Sequence, residues 1–369
     1  LISAVTVIGD LLRPDGHGNP GGVDRPIIWL YNAIKRQVAL ASGLPISVLS
    51  TRQLPALAAA LTAERPVERA ALHWAAGFDS LSERSAFDRH VMPRLQKQFC
   101  IGYELPPYLI ALFEAAAIPY IDVRIHPIRF LDDLLFAVHT PDVDTRSELL
   151  RLAVAESEVI VTAGLREAMC QIISDSSLPD DTMLVLGQRP MDATQIIATR
   201  FYDAGDQADQ IAALCHSHRA VLLKPHPQER EHSLLIVAAG VARNIIGVTD
   251  DNLYRLLSLP QVTAVLTVNS SAAYEAPYFG KQLHALAPLR FRLGWRGDAL
   301  CADQYASLDD RVLTPDFWRT VLSPYTPVTR ADGVRLTPKP NRLRIALDSF
   351  WNFQEIDTDR IPPRRAAPS

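Results

Sequence analysis

Ala220-Val-Leu-Leu-Lys-Pro-His-Pro227 decides how the chain is read. An unbroken apolar run from Ala220 to Leu223 suits a short strand buried on both faces, the pattern of a parallel sheet covered by helices. Lys224, Pro225, His226 and Pro227 end that run in polar and backbone-fixed residues. Open parallel sheets bind ligands beyond the carboxyl ends of their strands, which is where His226 emerges. His226 is therefore either a ligand-binding imidazole aimed by two prolines or a histidine that simply finishes the strand.

Outward from this run, short apolar segments alternate with longer helical patterns, the signature of strands joined by crossover helices. Strands are expected at 4–8, 46–49, 99–103 and 120–124 in the first half, and at 183–186, 221–223, 245–248, 264–268 and 283–286 in the second. Ile27, Leu30, Tyr31, Ile34 and Val38 recur at helical spacing between the first two strands. The stretch 144–174 reads as a helical connection, so two α/β domains are expected, 1–174 and 175–335. Beyond Pro338 and Pro340, Leu343, Ile345, Leu347, Phe350 and Trp351 predict a docking helix within 336–357. Residues 358–369, rich in arginine and proline, are expected to be a disordered tail.

The 369 residues carry 37 Lys+Arg against 41 Asp+Glu, a net charge of −4 that gives no basic field for nucleic acid. Four scattered cysteines, 100, 170, 215 and 301, form no CxxC pair, which favours reduced thiols and a cytoplasmic location over a disulfide framework or zinc site. The longest apolar stretch, Leu234–Ala242, has nine residues. A spanning helix needs about 18 or more, so no integral membrane span is expected. The opening Leu1-Ile2-Ser3 shows no secretory leader.

Two further strand ends carry chemistry. Thr263–Val268 runs into Asn269-Ser270-Ser271 and a helix beginning Ala272-Ala-Tyr-Glu275. Serine hydroxyls and unpaired amides at a helix start suit a phosphate, and they equally suit plain N-capping. Leu186-Gly-Gln188-Arg189-Pro-Met-Asp192-Ala-Thr194 places Arg189 and Asp192 beyond another strand of the same domain, aimed at an interdomain cleft. Asp192 alone also reads as a turn aspartate, and Arg189 as a surface charge. In the first domain, Tyr120–Arg129 sets His126 and Arg129 beyond a strand, as sugar or acceptor contacts or as a buried histidine and a loop ion pair with Asp132 or Asp133.

GQRPMDAT (187–194), KPHP (224–227), VNSSAAYEA (268–276) with FGK after it, DFWRTVLSP (316–324) and YIDVRIHPIRFLDD (120–133) together resemble the retaining β-Kdo glycosyltransferases of bacterial capsule and lipopolysaccharide assembly. Each motif occurs once, which reads as a single transferase module. The resemblance implies a GT-B fold, two Rossmann-like domains facing across a cleft, with the late helix crossing back to the first domain. It implies CMP-Kdo as donor, a glycan or glycolipid acceptor, partner transferases, peripheral association with the inner membrane face, and no required metal or other cofactor.

The resemblance assigns Asp192 as the nucleophile of a double displacement. His226 would hydrogen-bond the leaving phosphate, and Gln188, Arg189, Lys224, Asn269, Ser270, Ser271 and Glu275 would bind the donor. Kdo carries a carboxylate on its reacting carbon, so a cation must position it, with Arg189 and Arg129 as candidates. Glu104, after the strand ending at Tyr103, is the candidate acceptor base, with a helix-start glutamate as the alternative reading. Competing functions are an inverting CMP-sialic acid or other nonulosonate transferase, a GT-B-fold sugar-nucleotide epimerase and a non-catalytic sugar-nucleotide sensor.

Overall fold

The computed structural model describes residues 1–14, 24–63, 69–81, 84–173, 178–227, 229, 231–330, 333 and 336–347. The first half forms β1 (Ala4–Ile8), β2 (Ile46–Leu49), β3 (Gln98–Tyr103), β4 (Tyr120–Ile125) and β5 (Phe136–His139). The second forms β6 (Thr182–Leu186), a hairpin of β7 (Ile196–Ile197) and β8 (Arg200–Phe201), then β9 (Ala220–Lys224), β10 (Ile245–Val248), β11 (Val262–Thr267) and β12 (Gln282–Ala285). Two more strands follow, β13 (Arg292–Gly294) and β14 (Gln304–Leu308).

Among the described residues these strands make two large sheets, in the orders β13-β14-β5-β4-β3-β1-β2 and β10-β9-β6-β11-β12. The second is wholly parallel. The first is parallel except for β5, which runs against both β4 and β14. Helices cover both sheets, so the chain has the two Rossmann-like units and single cleft of the GT-B arrangement. The helix Asp24–Ser42 shows why: Ile27, Leu30, Ile34, Val38 and Ala41 are fully buried against β1, β3 and β4, one turn apart on one face.

The division between the units differs from the expected 174/175 and 335. The connection 144–174 is two helices, Val143–Leu152 and Glu156–Ile173. The second of these already packs on the second unit through Val159 and Ala163. At the other end, β14 pairs with β5 and the helix Pro315–Leu322 buries Phe317, Trp318, Val321 and Leu322 in the first core, so the chain returns soon after β12. β13 and β14 are short, and their sheet partner β5 is remote in sequence, so local pattern could not assign them.

The docking helix is present over Arg342–Leu347. Leu343 is fully buried in the first core, Trp29 Nε1 donates to Ala346 O, and the Asp133 carboxylate accepts from the amides of Leu343 and Arg344. Phe350, Trp351 and the expected tail lie outside the described residues.

A wedge from the β4–β5 connection joins the units. Ile128, Phe130, Leu131 and Leu135 belong to the same core cluster as Leu186, Leu222 and Tyr254 of the second unit. The Phe130 ring meets Phe279 at 5.1 Å and Tyr254 at 5.9 Å, both edge-on. On the other flank, Phe201 of the β7–β8 hairpin meets Trp74 of the first unit at 5.9 Å.

Candidate functional site

The carboxyl ends of β3, β4, β6, β9 and β11 open on one interdomain cleft of about 660 Å³. A wider depression of about 1050 Å³ lies at the amino ends of β3 and β4, around Lys97, Gln98, Ala117 and Tyr120. It contains none of the candidate residues, and the strand-end rule places chemistry in the smaller cleft.

The wall from the second unit is built on an amide network. Gln188 Oε1 accepts from the Asn269 amide at 3.0 Å and the Thr267 hydroxyl at 3.2 Å, and Asn269 Nδ2 donates to Thr194 O at 2.8 Å. Gln195 Nε2 reaches Asn269 Oδ1, and His232 Nε2 lies 3.1 Å from Gln195 Oε1. Both Gln188 and Asn269 are buried. Their side chains fix the 187–195 loop to the end of β11, and both residues also line the cleft. Gly187 permits this packing, since a Cβ there would sit 2.9 Å from Leu235 Cδ1 and 3.3 Å from the His226 nitrogen.

Asp192 sits at the apex of that loop and lines the cleft. Its Oδ1 caps the short turn of helix after it, accepting from Thr194 N at 3.0 Å and Thr194 Oγ1 at 2.9 Å. Oδ2 faces Arg13 at 3.8 Å. The capping reading of Asp192 thus holds for one oxygen, and the other faces Arg13. Arg189 is exposed on the same wall.

Lys224 is buried and its ammonium donates to Asp251 O. His226 is half-buried; burial and the nearby Arg189 push its pKa below the ordinary imidazole value. At neutral pH it is an uncharged hydrogen-bonding ring. Ser270 Oγ accepts from Ala272 N at 3.2 Å, an ordinary local turn, and Ser271 makes no side-chain cap. Both line the cleft beside Lys224 and His226.

Glu275 is only 1% exposed. Its Oε1 accepts from Arg129 N of the first unit at 2.7 Å and from Tyr254 OH at 3.0 Å, and burial pushes its carboxyl up to about 7. Glu275 thus bonds the two units while it borders the cleft. Arg129 accordingly belongs to the wedge: its amide holds Glu275 and its carbonyl accepts from Arg344, while the residue still borders the cleft.

His126 is not a sugar or acceptor contact. It is fully buried, with Nε2 3.0 Å from Ser307 Oγ and Nδ1 accepting from Ile128 N at 3.1 Å. Its ring lies 5.5 Å from Trp295, and burial lowers its pKa to about 3. This is the buried-histidine reading of the sequence.

Glu104 does reach the cleft, on the wall opposite Asp192. Its backbone is left-handed, φ 51°, uncommon for a residue with a Cβ. Asp122 Oδ1 accepts from the next amide, Leu105 N, at 2.8 Å and so holds the turn. Burial raises the Glu104 carboxyl, Arg124 opposes the rise, and the negative charge of Asp192 adds to it.

Sequence reading missed Arg124, Arg290 and the aromatic shelf beside them. Arg290 donates to Ala193 O and Ile196 O, bracing the Asp192 loop, and lies 5.2 Å over the Phe78 ring. Tyr274, Phe291 and Tyr305 meet side by side, with Phe291 to Tyr305 at 4.6 Å. A signal for Arg124 exists: Asp122 and Arg124 alternate on one face of a strand that is otherwise apolar, and a charged pair in such a run needs a reason.

With Arg124, Arg129, Arg189, Arg290 and Lys224 against Glu104, Asp192 and Glu275, the lining has an excess of cationic groups suited to an anionic ligand. Among the described residues no group of three or more His, Cys, Asp or Glu is arranged to hold a metal ion. No described helix is long and apolar enough to cross a membrane.

No family model matches the chain, and no curated protein matches it. Among solved structures it is similar to a Thermosulfurimonas dismutans KpsC beta Kdo 2,7 transferase, at 13% identity and TM-score 0.33 over 55% of this chain and 69% of that one. It is also similar to a Thermosulfurimonas dismutans KpsC beta Kdo 2,4 transferase, at 12% identity and TM-score 0.36 over 75% and 78%. A third is the Neisseria meningitidis UDP-GlcNAc 2-epimerase bound to UDP-GlcNAc, at 10% identity and TM-score 0.29 over 86% and 93%.

Proposed function

We propose that the protein is a retaining glycosyltransferase that moves Kdo from CMP-Kdo to a glycan or glycolipid acceptor. The observation that carries this reading is the pair of carboxylates, Asp192 and Glu104, presented by opposite units to one cation-rich cleft. An epimerase has no acceptor to deprotonate, and an inverting transferase has no need of a nucleophile on the donor wall. Partner transferases, peripheral attachment at the inner membrane face, a cytoplasmic location and metal independence belong to the same proposal.

In the first step Asp192 Oδ2 attacks the anomeric carbon, and the carbon–oxygen bond to CMP breaks with its electron pair leaving on the phosphate. Lys224, the neutral His226 and the Ser270–Ser271 turn face that charge. In the second step the acceptor hydroxyl attacks the same carbon and displaces Asp192, while Glu104 takes the hydroxyl proton. A carboxylate whose affinity for protons is raised by burial is the better base for this transfer. Two inversions at one carbon preserve the donor configuration.

The test is intact-protein mass spectrometry after incubation with CMP-Kdo alone. Wild type should gain one Kdo, Asp192→Asn none, and Glu104→Gln should keep the adduct while failing to pass it to an acceptor. An inverted product, or normal transfer by Asp192→Asn, would refute double displacement.

A further inference from the structure

Arg124 projects from the end of β4 into the cleft with its side chain 20% exposed, and its guanidinium is fixed on three sides. Nε donates to Asp122 Oδ2 at 2.7 Å and NH2 donates to Leu105 O at 2.7 Å. The planar group lies 5.3 Å over the Tyr305 ring and 5.6 Å over the Phe291 ring. Tyr305 OH in turn donates to Asp122 Oδ2 at 2.8 Å. Asp122 is fully buried and Tyr305 nearly so, which keeps the polar support out of water. Two of the five N–H bonds go to Asp122 and Leu105, leaving the rest of the fork for the Tyr305 edge and the cleft.

We infer that Arg124 is the receptor for a carboxylate borne by the sugar being transferred, and so sets selectivity for acidic sugars. This inference rests on the transferase reading above. The phosphate-facing groups Lys224, His226 and Ser271 occupy the other wall, whereas Arg124 is bonded to Leu105, the residue after Glu104, where the sugar must meet the acceptor. A planar fork held rigid before binding matches a carboxylate with two parallel bonds and loses little freedom on doing so. Arg189 and Arg129 fit the task less well: the first is an exposed chain, and in the second only the backbone is held by the wedge, its Nε having no hydrogen-bond partner to fix the guanidinium before binding.

The experiment compares binding of CMP-Kdo, its C1 carboxamide analogue and CMP by calorimetry. Wild type should prefer the carboxylate over the carboxamide by roughly 10- to 100-fold, the range for a hydrogen-bonded charge. Arg124→Lys keeps the charge and loses the fork; its preference should fall to about threefold or less, with CMP affinity unchanged. Phe291→Leu, which removes one face of the stack and leaves the buried pair intact, should reduce the preference in the same direction and serves where Arg124→Lys fails to fold. Equal wild-type affinity for carboxylate and carboxamide, or a preference that survives both variants, overturns the assignment of Arg124. Wild-type protein that binds CMP and neither sugar nucleotide overturns the donor reading itself.

Discussion

Replacing Glu275 by glutamine should flatten part of the protein's pH–stability profile. The Glu275 carboxyl is sealed between the units, bonded to Arg129 N and Tyr254 OH, and burial raises its pKa from 4.5 to about 7. The folded protein thus holds this proton more tightly than the unfolded chain does. Its stabilising contribution is complete below pH 4.5 and is lost as pH rises through about 7. At about 1.36 kcal/mol per pKa unit, the displacement from 4.5 to about 7 corresponds to about 3 kcal/mol over that window. Glutamine accepts the same two hydrogen bonds through its carbonyl and does not titrate. Urea unfolding of both proteins at pH 5, 6, 7 and 8 isolates the effect, because every other titrating group is common to the pair. Wild type should lose stability relative to Glu275→Gln by about 3 kcal/mol across the series. Parallel profiles would show that the carboxyl is hydrated in the folded protein and that the Glu275–Arg129 junction is not sealed.

Three other outcomes follow from the geometry. Phe130→Ala empties the wedge between the units and should cost about 3–5 kcal/mol in chemical denaturation, typical for a fully buried ring, whereas a wedge that collapses freely would give under about 1. His232→Ala removes the imidazole that steadies Gln195 behind the Asp192 loop; steady-state kinetics should show kcat falling by about tenfold with CMP affinity unchanged, and an unchanged kcat would remove the network from the site. His226→Ala should weaken CMP binding by about 10-fold in calorimetry, the lower end of the worth of one hydrogen bond to a charged phosphate, and undiminished binding would place the nucleotide elsewhere.

The chain by itself determined the two α/β units, the strands that carry the site and the face of the helix at 24–42, because apolar periodicity is a local property set by burial. It also placed Asp192, Glu104, His226 and the Ser270–Ser271 turn at strand ends, and the sheets carry those ends to one cleft. Tertiary structure alone decided the rest. Whether His126 is a contact or a core residue depends on Ser307 and Trp295, far away in sequence. Gln188 and Asn269 turned inward because they satisfy each other, and Glu275 became a junction because Arg129 of the other unit presents an amide to it. Arg124 acquired its fixed fork only when β14 brought Tyr305 beside β4's neighbour β5, closing a box around Asp122. A side chain's partners are set by residues that meet only after the sheets close, and spacing along the chain carries no record of those distances.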